Sequence, residues 1–279
     1  MIETLPPGPY QVLARIASGT TSDVYRARRL GHITDVALKV LAKSLTTDAA
    51  WLRRFQREAH LLRQLRHPNT VALLDYGQHQ DRWFMALELV EGRVLRDWVG
   101  TRAKAGLLVR VGGQIAAGLA AAHALGLVHR DLKPANVMVS DDGRVKILDF
   151  GLARPVAATH PEFPTTFQDL TRTGAVMGTP RYMSPEQSLG QTLCPASDLF
   201  CLGLCLYELA CGVHPFASPF VQEVVAGIRE NPTPDLTRRR PDLPPALIQL
   251  IGRMLHKIPA QRPPAQEVFL QLSELARTH

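Results

Sequence analysis

Residues 129–136 read His129-Arg130-Asp131-Leu132-Lys133-Pro134-Ala135-Asn136, and thirteen positions after Asn136 comes Asp149-Phe150-Gly151. The first stretch follows a helical pattern and a short strand. It precedes two short apolar runs, 137–139 and 145–147, joined by Asp141-Asp142-Gly143, a strong hairpin turn. Both stretches therefore sit on loops at strand ends. Two carboxylates and an amide on adjacent loops form a hard-oxygen set suited to Mg²⁺ carrying phosphates. Asp131 is then left as a carboxylate able to accept a hydroxyl proton.

Upstream of this centre the chain is strand-rich. Strands are expected over Tyr10 to Ile16 and Val24 to Arg28, around the small-residue turn Ala-Ser-Gly-Thr-Thr-Ser, then over Val36 to Leu41. Trp51, Leu52, Phe55, Ala59, Leu62 and Leu65 recur at three- and four-residue spacing, which predicts one helix from Asp48 to Leu65. Two more strands are expected near 71–76 and 83–89, separated by the polar turn Gln78 to Arg82. After Glu91-Gly92 the pattern turns helical, with a buried helix over 107–125 and further helices from 196 onward. The segment 154–183 is polar, rich in Thr and Pro and without a period, as functional or disordered loops are.

Composition fits this reading and narrows the partners. The 279 residues suggest about two folding units. A 46% hydrophobic share with 20% charged residues excludes a disordered or collagen-like chain. The formal charge is +7, and 26 Arg against 6 Lys supply the basic side. Nothing resembles a nucleic-acid recognition helix with interleaved aromatics. Arg238-Arg239-Arg240 is expected to be a solvated face. The N-terminus has no apolar signal core, and the apolar run near 199–213 is too short for a bilayer and contains Glu208. Four cysteines between 194 and 211 read as reduced thiols, with Cys201 and Cys205 on one helix face. A zinc site at Cys211-Gly-Val-His214 would lack a second ligand pair. A cytoplasmic location follows as the expectation.

The ordered set of motifs resembles a eukaryotic-type (Hanks-type) Ser/Thr protein kinase of the bacterial branch, from about Tyr10 to Arg262. Taken singly, Lys39 or Glu58 reads as a solvated charge and Asp-Phe-Gly as a turn. Their order along the chain carries the resemblance. It implies an α+β bilobal kinase-like fold, in which a small antiparallel-sheet N-lobe with one helix (1–89) precedes a larger, mainly helical C-lobe (90–279). The whole of 1–279 is then a single catalytic domain. The implied activity is ATP-dependent phosphorylation of protein Ser/Thr hydroxyls, with Mg²⁺ as the ion and Mn²⁺ as its alternative.

By the same resemblance Asp131 orients the substrate hydroxyl and takes its proton, Lys133 sits beside the transferred phosphate, and Asn136 and Asp149 hold the metal. Lys39 of Val-Ala-Leu-Lys holds the α- and β-phosphates, with Glu58 as its partner. Ile16, Gly19, Val24, Ala37 and Met138 line the nucleotide site, and Glu88 and Val90 pair with the adenine edge. His129, Arg130, Phe150, Gly151, Thr179, Glu186, Asp198 and Arg262 are architectural, with a Glu186–Arg262 ion pair and Asp198 bracing the catalytic loop. The activation segment spans 149–186, where Thr171 and Thr173 stand as phosphorylation candidates and Arg130 as the phosphate's receptor. The phosphate loop departs from the family pattern: Ala17-Ser18-Gly19-Thr20-Thr21-Ser22-Asp23-Val24 retains only the middle glycine. That departure motivates the competing reading, a pseudokinase binding nucleotide or partners. A small-molecule phosphotransferase would not account for Thr179 to Glu186, Asp198 or Arg262. Protein substrates are the implied partners, and self-association into a homodimer is left open.

Overall fold

A computed structural model describes residues 8–19, 22–42, 49–150 and 180–278; within the first helix the side chains at 50, 51, 54, 57 and 58 are also outside the description. The chain divides into two compact units, the first running to Glu91 and the second beginning at Gly92.

The first unit is a five-stranded antiparallel sheet. Its strands are β1 (Tyr10–Ser18), β2 (Ser22–Arg29), β3 (Asp35–Leu41), β4 (Leu73–His79) and β5 (Arg82–Glu88), in the order β1-β2-β3-β5-β4. Helix α1 (Ala49–Gln64) interrupts them between β3 and β4. Register fixes which side chains share a face. Val24 lies opposite Lys39, which lies opposite Met85, and Ala37 lies opposite Leu87. The alternate residues Tyr25, Ala27, Val36, Leu38, Val40 and Ala86 form an apolar cluster on the other face. Phe55 of α1 meets Trp83 edge-on, with ring centroids 5.7 Å apart. Trp83 alternates with Met85 and Leu87, so the helix packs on the face that carries Lys39. The Tyr10 hydroxyl donates to Asp75 at 3.1 Å and so ties β1 to β4, the two edges of the curled sheet.

The β4 and β5 boundaries differ from the sequence expectation by one to three residues. Gln80 takes φ 52, which allows a two-residue turn at 80–81 with His79 paired to Arg82. The polar residues Gln78 and His79, expected as turn, are therefore in the strand. An edge strand tolerates them because one side of it faces water.

The second unit is mainly helical. A three-stranded sheet of β6 (Arg93–Val94), β7 (Val137–Val139) and β8 (Val145–Ile147) accompanies helix α2 (Ala105–Ala124). There follow α3 (Pro185–Ser188), α4 (Pro195–Cys211), α5 (Val221–Glu230), α6 (Leu236–Arg239), α7 (Pro245–Met254) and α8 (Ala265–Thr278). Helix α4 is apolar all round and is buried from Ser197 to Ala210, as a central core helix must be. It stops at Gly212, whose φ of 76 suits glycine alone without strain. Helix α2 is the one described helix long and apolar enough to cross a membrane. Over half of its apolar window is buried within the protein, and it packs on α4 and α8.

The arginine run 238–240 departs from the solvated face expected of it. Arg238 and Arg239 are exposed, but Arg240 is buried at 4% exposure. Its guanidinium donates to the carbonyls of Ala103 and Ala210 and pairs with Asp242 at 2.6 Å. The Ala210 carbonyl lies in the last turn of α4, where carbonyls lack helical partners and a cation is favoured. Cys201 and Cys205 are buried, and burial pushes both thiols far above their ordinary pKa. The Cys201 thiol donates to the Tyr182 carbonyl.

Candidate active site

The centre of the second unit is built on the hairpin β7–β8 and the two loops beside it. Gln114 of α2 fixes the hairpin: its Oε1 accepts the Val145 N–H at 2.9 Å and its Nε2 donates to the Gly143 carbonyl. The Leu148 N–H donates to the Asn136 carbonyl at 2.8 Å, so the loop before β7 and the loop after β8 are tied together. That bond brings Asn136 and Asp149 to one end of the hairpin.

Asp131 is the polar focus of this end. Lys133 Nζ lies 3.0 Å from its Oδ2, and Asn136 Nδ2 lies 3.2 Å from the same oxygen and 2.8 Å from the Asp131 carbonyl. The side chains of Asp131 and Lys133 are about one-fifth exposed. Asn136 spends its amide nitrogen on Asp131, which leaves Oδ1 as its acceptor. Together with the Asp149 carboxylate this gives two oxygen donors of the kind that Mg²⁺ prefers.

The backbone under Asp131 is held by buried groups. Asp198, fully buried, accepts from the His129 N–H at 2.8 Å, the Arg130 N–H at 3.0 Å and His123 Nε2 at 2.8 Å. His129 is also fully buried. Its Nε2 faces the Leu148 carbonyl at 2.7 Å and its Nδ1 the Asp131 N–H at 3.3 Å, which puts its ring proton on Nε2. Its ring leans on Phe150, centroids 4.9 Å apart. Arg130 and Asp149 both take positive φ, 67 and 46, in a region costly for side chains with a Cβ. Strain of this kind persists where the surroundings over-determine it.

Glu186 and Arg262 form a bidentate pair at 2.8 and 2.9 Å, with the guanidinium fully buried. Burial alone would raise the Glu186 pKa; hydrogen bonds from Arg262 and Ser197 outweigh it and hold the carboxyl below its usual range. Arg262 reaches further, to the carbonyls of Ala196, His256 and Lys257. Behind this anchor the Tyr182 hydroxyl meets Glu208, and His214 packs edge-on against Tyr182. Burial pushes both Tyr182 and Glu208 up.

In the first unit Lys39 is buried at 9% exposure in β3, on the face it shares with the half-buried Val24 and Ala37. Ile16 is exposed on β1. Glu88 ends β5, exchanging its N–H and side chain with Ala72, and Val90 follows in the connector. Met138 lies in β7 of the second unit, half-buried between the buried Val137 and Val139. The hairpin at Gly19 is closed by Gly19 N–H to Ser22 carbonyl at 3.0 Å and by Ser18 Oγ to Asp23 at 2.6 Å. Gly151, Thr171, Thr173 and Thr179 lie outside the described residues, as does the Glu58 side chain.

Sequence reasoning missed two groups. His123 joins Asp198 from α2, and Gln187 of α3 donates to the Arg130 carbonyl at 2.9 Å. The proximity of both to the motif is visible only in three dimensions.

A family model described as a protein kinase domain matches residues 10–271. Among curated relatives, the chain is 42% identical over 273 residues to the serine/threonine-protein kinase pkn3 of Myxococcus xanthus, covering 93% of this chain and 48% of the relative. It is 37% identical over 255 residues to PknL of Mycobacterium tuberculosis, covering 91% and 62%. The chain thus spans about half to three-fifths of the length of these relatives. Among solved structures, the Mycobacterium tuberculosis PknI kinase domain superposes with a TM-score of 0.72 at 27% identity, over 96% of each chain.

Proposed function

Since the chain belongs to the bacterial branch of the eukaryotic-type protein kinase family, we propose that it transfers the γ-phosphoryl group of ATP to serine or threonine hydroxyls of protein substrates. The observation that carries the reading is the Asp131 carboxylate, held against Lys133 and Asn136 on a backbone fixed by Asp198 and His129. Phosphoryl transfer passes through a loose transition state, so positioning and charge neutralisation supply most of the catalysis.

In this reading Asp131 orients the incoming hydroxyl and accepts its proton as the bond to phosphorus forms. The Lys133 ammonium balances charge on the transferred group from beside that carboxylate. Asn136 Oδ1 and Asp149 would hold a divalent ion, Mg²⁺ or Mn²⁺, which neutralises phosphate charge when bound. Lys39 takes the α- and β-phosphates, with Glu58 as its partner. Val24, Ala37 and Met138 supply apolar surface to the base, with Ile16 and Gly19 in the same set, and Glu88 and Val90 supply its polar edge. Thr171 or Thr173 is the self-phosphorylation site and Arg130 the group that receives the phosphate. Thr179, in the docking loop, bonds Asp131 and Lys133, and Gly151 is architectural. The buried, reduced thiols of Cys201 and Cys205 support a reducing compartment such as the cytoplasm.

The test is transfer of label from γ-labelled ATP with Mg²⁺ to the protein itself and to a generic basic protein. Asp131→Asn should lower the rate at least about 100-fold while ATP still raises the melting temperature. Equal labelling by wild type and Asp131→Asn would remove Asp131 from the reaction.

A further inference from the structure

Arg130 is the residue whose backbone aims Asp131, and it is held from both sides. Its own N–H, in the 129–130 peptide, donates to Asp198 at 3.0 Å. The next peptide, 130–131, is gripped at both ends: its N–H faces His129 Nδ1 at 3.3 Å, and its carbonyl accepts from Gln187 Nε2 at 2.9 Å. Two fixed peptide planes determine both dihedral angles of the residue between them. The angle they impose is a left-handed φ of 67 on a residue with a long side chain. Left alone, that residue would relax to negative φ and swing the Asp131 Cα–Cβ bond with it.

Gln187 is placed for this task by its own helix. It is the third residue after Ser184, whose hydroxyl accepts the Gln187 N–H at 3.3 Å, and it follows Glu186, which is locked to Arg262. The amide is half-buried, so water competes only partly for the carbonyl. Of the groups on the 130–131 peptide, the carbonyl is the one that reaches outside the catalytic loop and its Asp198 anchor.

We infer that Gln187 is a positioning residue for phosphoryl transfer: its amide clamps the Arg130 carbonyl, holds Arg130 in the left-handed conformation and thereby aims the Asp131 carboxylate. The inference rests on the proposed kinase activity for its kinetic consequence, but the clamp itself is a statement about backbone geometry. It makes α3, at the end of the activation segment, a mechanical neighbour of the catalytic carboxylate. Whatever displaces α3 releases the peptide that carries Asp131.

The experiment compares Gln187→Ala and Gln187→Glu with wild type in the full chain. Glutamate keeps the shape of glutamine but presents only acceptor oxygens to a carbonyl, so a clamp predicts the order Gln, then Ala, then Glu. A space-filling role predicts that Glu outperforms Ala. For Gln187→Ala, kcat should fall about five- to ten-fold, the scale of one partly buried hydrogen bond, with KM for ATP unchanged. Amide hydrogen exchange of the peptide spanning 128–133 should speed up in both variants, while exchange in α4 stays as in wild type. The exchange measurement reads the clamp even if the protein transfers no phosphate, so failure of the kinase reading is separable. Unchanged exchange at 128–133, or a Glu variant at least as active as Ala, overturns the inference.

Discussion

Two short loops share the work on phosphate in the proposed reaction, and they are held in opposite ways. The catalytic loop, 129–136, is pinned by the buried Asp198 with three donors and the buried His129 ring with two hydrogen bonds, and by the half-buried Gln187 on a carbonyl and Asn136 on Asp131. Among the described residues, the mouth of the hairpin around Gly19 is held by the β1–β2 ladder, the Gly19 N–H to Ser22 carbonyl bond and an exposed side-chain bond, Ser18 to Asp23. In the loop, removing a partner leaves a polar group stranded out of water. In the hairpin, water takes the partner's place. The first arrangement makes the loop's geometry depend on its side-chain partners; the second leaves the hairpin's side-chain bond exchangeable with water.

The sharpest way to break this contrast is at Asp198. Asp198→Ala strands the His129 and Arg130 N–H groups and His123 Nε2 in the core, and buried partners lost this way cost about 3–5 kcal/mol. Urea denaturation should show that loss as a lower midpoint, with phosphoryl transfer undetectable in the folded fraction. A loss below about 1 kcal/mol would mean that the loop holds itself and that Asp198 is a bystander.

The two regions also differ in how far the sequence displays them. The catalytic loop is legible because its chemistry lies in one contiguous octapeptide, and because a hairpin with an Asp-Asp-Gly turn places Asp149 beside it. Asp198 and the Glu186–Arg262 pair are legible only through the family resemblance, since their partners lie far along the chain. Gln187 carries no signal of its own. It is one amide in a polar stretch, and its partner is a backbone carbonyl 57 residues away, which no side-chain pattern encodes. Arg240 misleads for a related reason. A run of three arginines looks solvated, yet the carbonyls of Ala210, in the last turn of α4, and of Ala103 draw one of them inside. The turn between β4 and β5 is legible in the polar stretch from Gln78 to Arg82, but its two-residue length is not, because a positive φ on glutamine has no compositional mark.

Burial gives the second unit a pH signature that an exposed hairpin cannot share. His214 lies at 4% exposure between Tyr182 and Phe216, with its Nδ1 accepting the Phe216 N–H and the Arg181 guanidinium nearby. Burial lowers its pKa from 6.5 to about 4. The unfolded chain therefore binds a proton that the folded chain refuses, so stability is full above pH 6.5 and declines as pH falls toward 4. The expected loss is on the order of 3 kcal/mol across that window. His214→Phe should flatten this part of the stability profile, measured by chemical denaturation between pH 7 and 4. A wild-type profile that is already flat there would place the ring in water rather than in the core.

The smallest effect should come from the hairpin. Ser18→Ala removes a hydroxyl whose bond to the half-buried Asp23 is exposed, and the carboxylate can turn to water, so global stability should change by less than about 0.5 kcal/mol. The bond joins two directly paired positions at the mouth of the turn, Ser18 and Asp23, one residue before the single retained glycine. Losing it widens the ensemble of hairpin conformations, and binding nucleotide must then order what the clip held in advance. KM for ATP should rise about two- to five-fold with kcat held, the reverse of the split expected at Gln187. Exchanging the partners, Ser18→Asp with Asp23→Ser, rebuilds the bond in the opposite sense and should restore KM. If the exchanged pair is no better than Ser18→Ala, hairpin closure depends on backbone bonding at Gly19 alone, and two loops that differ in burial would not differ in how side chains set them.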